Sequence, residues 1–334
     1  MNIETLPVDL RGRAMAMPIA TLAAPVSWGT TYVVVTELMP DDRPLLVSAL
    51  RALPAGLLLA AVGLMTSRWR PRGAEWGRQA ALAVLSIGAF FPLLVVAVYR
   101  LPGGVAAAFG GVQPLLVPLL TWLVAGNRPR PVQLAVGAVA AAGVAMVVLR
   151  PGAAMDWTGS LAALGANVSF ALGVVLTKRW PAPSAPVAAT GWQLLLASVL
   201  LVPLAAVVEG PPPAVETTHL LGTGYLSIAA TGFAFLLWFR GVRALPAAAP
   251  PLLGLAAPVT GAAMGWLVLG EALTPVQLVG FAVTVGAIAY GALGAAREGG
   301  RTPTVESLRR RAPRVPAASL ARSPVQPCGS AAGC

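Results

Sequence analysis

Ten stretches of this chain run for about twenty residues with no charge, and that feature narrows the possible folds more than any other. They cover 14–36, 52–67, 79–99, 101–127, 131–149, 157–177, 180–208, 220–239, 244–270 and 272–296. A helix needs roughly 20 apolar residues to cross the hydrocarbon layer of a bilayer. The second run is the shortest, and it reaches that length from Leu45 to Met65 once Arg51 is accommodated near its end. Leu, Ala, Val and Gly fill the runs without the period-two alternation that strands of an outer-membrane barrel require. Charged residues make up 10% of the chain, against about 25% in soluble domains, too few to cover a soluble surface. The expected fold is all-α, an integral membrane protein of ten transmembrane helices.

The formal charge of +11 is a topology signal and not the mark of a nucleic-acid partner. With a cytoplasmic N-terminus, the inner segments hold 19 basic and 5 acidic residues, and the outer segments 4 basic and 7 acidic. The opposite orientation would violate the positive-inside bias. Both termini are therefore expected on the cytoplasmic side of the cell membrane. The first run follows Arg11 and Arg13 but leads into further spans, and reads as a retained helix, not a cleaved signal peptide.

The chain repeats itself. A shift of 144 residues overlays Leu101-Pro102 on Leu245-Pro246, Gly110 on Gly254, Pro114 on Pro258 and Trp122-Leu123-Val124 on Trp266-Leu267-Val268. It goes on to match Pro131-Val132-Gln133-Leu134 with Pro275-Val276-Gln277-Leu278. Five runs match five, so residues 14–150 and 157–296 form two units. Because five is odd, the second enters the membrane from the opposite face, the inverted-repeat plan of many secondary transporters. Residues 297–334 carry seven arginines and little apolar content, the composition of a disordered basic tail.

Pro25-Val-Ser-Trp-Gly-Thr-Thr-Tyr32 at the start of the first unit and Gly270-Glu271-Ala-Leu-Thr-Pro-Val-Gln-Leu278 late in the second resemble the EamA-type transporters of the drug/metabolite superfamily. Tyr99-Arg-Leu-Pro-Gly-Gly, Leu176-Thr-Lys-Arg-Trp180 and Leu237-Trp-Phe-Arg-Gly241 narrow the resemblance to its PecM-like exporter branch. It spans about 14–296 and implies export of a small metabolite. One departure is visible. The first unit has Asn127 where the family usually has Glu, whereas the second keeps Glu271.

Prolines inside the fourth and ninth runs point to the site. Pro114 and Pro258 sit near their centres, where each removes a backbone donor. Matched interruptions in two inverted halves indicate a substrate cavity, although kinks that serve packing are the plainer reading. Gln113 precedes Pro114 and either faces the cavity or ties two helices; Asn167 and Gln193 present the same choice. Trp28 and Tyr32 lie one turn apart on one face and suit an apolar cavity wall. Trp192 is a further aromatic candidate. Trp238, beside Arg240, is expected at the membrane interface with Trp122 and Trp266. Arg51 either snorkels outward or pairs with Glu37. Glu271 is read as a helix end. The Gly261–Gly265 and Ala107–Gly111 stripes permit close packing, within the bundle or in a homodimer.

No His, Cys or Asp falls within a run, and Cys328, Cys334 and the lone His219 have no metal-site spacing. No metal or cofactor is expected. A membrane-embedded transferase would need catalytic groups that the runs lack, and a passive scaffold would not need matched interruptions. No carboxylate lies in mid-run, which leaves no classical proton relay. The reading that fits is a secondary transporter of a small molecule, with lipid as its other partner.

Overall fold

The structure is a computed structural model that describes residues 8–299 apart from 102–105, 107–108, 149–155, 215 and 270–273. Glu271, both cysteines and the tail beyond Gly299 lie outside the described residues.

Every regular element among the described residues is helical. Seven helices are long and apolar enough to cross a bilayer: Met15–Leu38, Pro44–Ser67, Ala74–Arg100, Trp157–Arg179, Pro186–Val208, Thr217–Ala244 and Pro275–Gly294. Three shorter apolar helices occupy Phe109–Ala125, Pro131–Val147 and Ala249–Met264. The elements are numbered α1 (Val8–Gly29), α2 (Thr31–Leu38), α3 (Pro44–Ser67), α4 (Ala74–Ala83) and α5 (Phe90–Arg100). They continue with α6 (Gln113–Ala125), α7 (Pro131–Val148), α8 (Trp157–Arg179) and α9 (Pro186–Val208). The series closes with α10 (Thr217–Gly224), α11 (Ala234–Ala244), α12 (Ala249–Leu253), α13 (Ala256–Leu269) and α14 (Pro275–Gly299). Residues 297–299 thus extend the last helix, and do not open the tail.

Local sequence explains the boundaries. Asp156 Oδ1 accepts from the Gly159 amide at 2.6 Å and caps α8, a free helix donor satisfied by a side chain. Gln133 Oε1 accepts from the Arg130 amide at 2.9 Å, and Gln277 Oε1 accepts from the Thr274 amide at 2.9 Å. The two helices therefore begin with the same device, 144 residues apart. Gly126 ends α6 at φ +72° and donates to the Trp122 carbonyl at 2.8 Å, a left-handed closure that glycine adopts without strain.

The second regularity is an internal π-helical segment. Val84–Ala89 separates α4 from α5, and Tyr225–Phe233 separates α10 from α11. Their last residues are 144 positions apart, as are Arg100 and Ala244, which end α5 and α11. Such segments loosen the backbone ladder and free carbonyls for other donors.

Helices pack through small residues, as expected where lipid supplies little hydrophobic drive. Gly56 and Gly63 of α3 face Leu194 and Ala188 of α9, with a Cβ on Gly63 falling 2.5 Å from Ala188. Gly143 of α7 faces Val283 and Thr284 of α14. Gly159 of α8 lies against Arg100 and Leu101, and Gly241 of α11 against Thr21 of α1. One glycine of each stripe packs inside the bundle: Gly261 approaches Gly29 and Tyr32, and Gly111 abuts Val144, while Ala107 lies outside the described residues. Large apolar side chains such as Leu57, Met65, Leu123, Leu161 and Val207 are exposed on the outside of the bundle.

Candidate functional site

A cavity of about 80 Å³ lies where seven parts of the chain converge. Trp28, Thr31 and Tyr32 come from the α1–α2 junction, Arg51 from α3, and Phe90 and Leu94 from α5. The interrupted segment around α6 supplies Gly110 and Gln113, and α8 supplies Ala163, Asn167 and Phe170. Trp238 comes from α11, and Pro251, Gly254, Ala257 and Pro258 from the broken α12–α13 stretch. The structure thus brings together Trp28, Tyr32, Gln113, Asn167 and Pro258, which the sequence had singled out separately.

Pro114 is the exception. It sits next to Gln113, but successive residues point about 100° apart around a helix, and here the two side chains meet different cavities. Pro114 is buried, with its carbonyl against Gly137 of α7. It lines a different cleft of about 160 Å³, with Pro118, Pro246 and Tyr290.

The polar groups are tied down. Gln113 Nε2 donates to both the carbonyl and Oδ1 of Asn167, at 3.1 and 3.0 Å. Asn167 Nδ2 in turn donates to Ala163 O at 2.8 Å. Cavity lining and interhelical tie, posed as alternatives, are here the same pair of residues. Gln193 is different: it donates to Gln79 Oε1 at 2.6 Å across the α4–α9 contact and lines a separate cavity with Arg240 and Arg243.

Trp238 corrects the interface expectation. It is 2% exposed, with its ring centroid 5.1 Å from that of Trp28 and 5.9 Å from that of Phe170. Ala234, Phe235, Trp238 and Val242 form the buried stripe of α11, whereas Arg240 turns outward. Trp122, 43% exposed, does face outward, while the Trp266 side chain is outside the description. Trp192 also leaves the cavity group, packing edge-to-face on Trp76 at 5.3 Å.

Arg51 neither snorkels nor meets Glu37. It belongs to the buried stripe Ser48, Arg51, Ala52, Ala55 of α3, and is itself 2% exposed. Its Nε donates to Thr231 Oγ1 at 3.1 Å, and its guanidinium carbon stands 4.0 Å above the centre of the Phe91 ring, a cation–π distance. Glu37 is exposed near the end of α2. The acid that does anchor α3 is Glu209, whose carboxylate accepts from the amides of Leu45 and Leu46 at 2.6 and 2.9 Å. Arg43 donates to the carbonyls of Glu209 and Pro211 beside it.

The π-helical segments position these side chains. Trp28 Nε1 donates to Ala230 O at 3.0 Å, next to the Thr231 that holds Arg51. In the earlier segment, Leu85 O accepts from Ser169 Oγ at 2.7 Å. Each loosened stretch therefore takes a side chain from a neighbouring helix.

One turn along three helices, Val117, Val174 and Val242 follow Gln113, Phe170 and Trp238 by four residues and pack into one apolar layer with Phe170 and Trp238. Beyond it lies a second cavity of about 240 Å³, lined by Thr121, Asn127, Lys178 and Arg179 among others. Lys178 Nζ donates to carbonyls at the end of α11, including Val242 O at 2.9 Å. Asn127, the departure from the family pattern, belongs to this second cavity and not the first.

Comparison with known proteins gives the assignment. The EamA-like transporter family matches twice, over residues 15–149 and 157–290. The chain belongs to that family. This EamA chain is 38% identical over 259 residues to Protein PecM of Dickeya dadantii, covering 77% of this chain and 86% of that one. It is 28% identical to the uncharacterized transporter YwfM of Bacillus subtilis, covering 78% and 88%. It is also 24% identical to the uncharacterized inner membrane transporter YedA of Escherichia coli K12, covering 82% and 90%. A solved crystal structure shares the fold at 21% identity with a TM-score of 0.68, covering 85% of this chain and 98% of that one. The EamA chain is a multi-pass membrane transporter of the drug/metabolite superfamily, and not an enzyme.

Proposed function

We propose that the chain is a ten-span carrier of two inverted units, 14–150 and 157–296, exporting a small metabolite across the inner membrane by alternating access. Both termini then face the cytoplasm, and the central cavity is the substrate site. The observation that carries this reading is the pair of glycines Gly110 and Gly254, 144 residues apart, which bring two interrupted segments to one cavity. Matched breaks at depth are where carriers of this kind hold their substrates, since free backbone groups are tolerated only against protein or a watery cavity.

The packing pattern supports a two-fold relation between the units. α3 pairs with α9 and α7 with α14, each the counterpart of the other in the repeat. The α5–α8 contact is mirrored by α11–α1, and the α6–α8 contact by α13–α1. In the orientation that the arginines favour, the cavity opens toward the outer half, and the valine layer seals it from the cavity around Lys178 and Arg179. That seal is about one helical turn, or 5.4 Å, thick.

Single cysteines at Gly110 and Thr121, with Cys328→Ser and Cys334→Ser, test it. A membrane-impermeant thiol reagent should reach Gly110→Cys from outside and Thr121→Cys only from the cytoplasmic side. Simultaneous reaction of both from one side would describe a channel and contradict the carrier.

A further inference from the structure

The central cavity holds a positive charge that no acidic side chain among its described lining residues balances. Arg51 carries a guanidinium that stays charged in proteins, and only 2% of its surface is exposed. One nitrogen is satisfied by Thr231, a neutral hydroxyl. Its Nη1 is buried and has no hydrogen-bond partner among the described residues. No Asp or Glu is among the described residues that line the cavity. Buried charges are normally paired, because an unpaired one forfeits its hydration.

The remaining polar atoms lean the same way. Trp238 and Thr31 also line this cavity, and their Nε1 and Oγ1 are buried without hydrogen-bond partners among the described residues. Arg51 Nη1 and Trp238 Nε1 can only donate. Gln113 is the exception, since it spends its amide nitrogen on Asn167 and keeps its oxygen as an acceptor. The walls therefore offer hydrogen-bond donors and one uncompensated cation, framed by the rings of Trp28, Tyr32, Phe90 and Phe170.

We infer that the cavity takes a planar organic carboxylate, whose anionic end is held by Arg51 and whose ring lies among the aromatic side chains; this rests on the cavity being the substrate site. A carboxylate brings two acceptor oxygens and the missing negative charge, the pairing that a guanidinium fork fits best. Flat rings give the aromatic walls their preferred contacts. An anion leaving a cell moves away from the negative inner leaflet and down the electrical gradient, so export needs no titrating carboxylate within the spans.

Benzoate and its neutral analogue benzamide are the probes. The reporter is Gly110→Cys in the full chain with Cys328→Ser and Cys334→Ser; a Cβ at Gly110 meets nothing within 4 Å, so the thiol fits. At pH 7.5, benzoate should protect this thiol from a small polar reagent at a concentration at least about tenfold lower than benzamide needs, the factor that a hydrogen bond to a charged group supplies. Arg51→Lys should keep a weaker preference for benzoate, and Arg51→Gln should erase it. Equal protection by both probes in the protein with Arg51, or protection by neither, overturns the inference, and this comparison decides even if Arg51→Gln is not recovered. A thiol that never reacts overturns the substrate-site reading itself and the inference with it.

Discussion

The segment around α6 brings Gly110 and Gln113 to the cavity, whereas the α12–α13 stretch brings Gly254 and Ala257, the residues 144 positions further on. The same contrast separates Leu94 of α5 from its counterpart Trp238 of α11, both in the cavity wall. Backbone devices recur in the two halves: the glycines, the π-helical segments, and the glutamines that start α7 and α14. Side chains that meet the cavity do not recur. Repetition thus places the cavity, and divergence gives it its chemistry, with an amide on one side and a large aromatic on the other.

The contrast breaks most visibly at Leu94 and Trp238. Trp238→Ala removes a buried ring packed on Trp28 and Phe170 and should cost about 3–5 kcal/mol. Leu94→Ala, at a half-buried site, should cost about 2 kcal/mol, the lower end for leucine. Thermal unfolding of the purified variants checks the ranking, and equal losses would remove the asymmetry.

Gln113 and Ala257 sharpen it next. Gln113→Ala should weaken substrate affinity by up to about tenfold, read as uptake into proteoliposomes. Loss of the tie to Asn167 should lower stability by only about 0.6 kcal/mol, the average for such bonds in membranes. Ala257→Ser should leave both readouts close to the parent. Full transport by Gln113→Ala would show that the amide serves packing alone.

The smallest effect belongs to the glycines. A Cβ at Gly110 meets open space, while one at Gly254 comes 3.3 Å from the Pro251 carbonyl. Alanine at either should change stability by about 0.5 kcal/mol or less, with Gly254→Ala the worse in a melting series. The reverse order would mean that the two breaks are built differently.

The uncharged runs made the helical membrane fold legible, because apolar length is a property of composition along the chain. The matched breaks point to segments that meet at the central cavity, again a property of position along the chain. Direction around a helix was harder to read. Gln113 and Pro114 are neighbours in sequence, yet they face different cavities. Trp238 looked like an interface residue beside Arg240, although its offset from Leu94 and its spacing from Ala234 and Val242 place it on the buried stripe. Arg51 carried a comparable clue in Ser48, Ala52 and Ala55, small residues that mark the packed face of α3. Its partner Thr231 was out of reach, since the π-helical segment that presents it comes from 180 residues away.

Inversion of the two halves is the claim on which the account turns, and Arg72 and Glu216 test it most directly. They are exposed, lie 144 residues apart, and sit in corresponding connections of the two units. Single-cysteine variants at these positions, with Cys328→Ser and Cys334→Ser, can be exposed to a membrane-impermeant maleimide on intact cells. The account predicts that Glu216→Cys is labelled at once and Arg72→Cys only after the membrane is permeabilised. Labelling of both from the same side would contradict it.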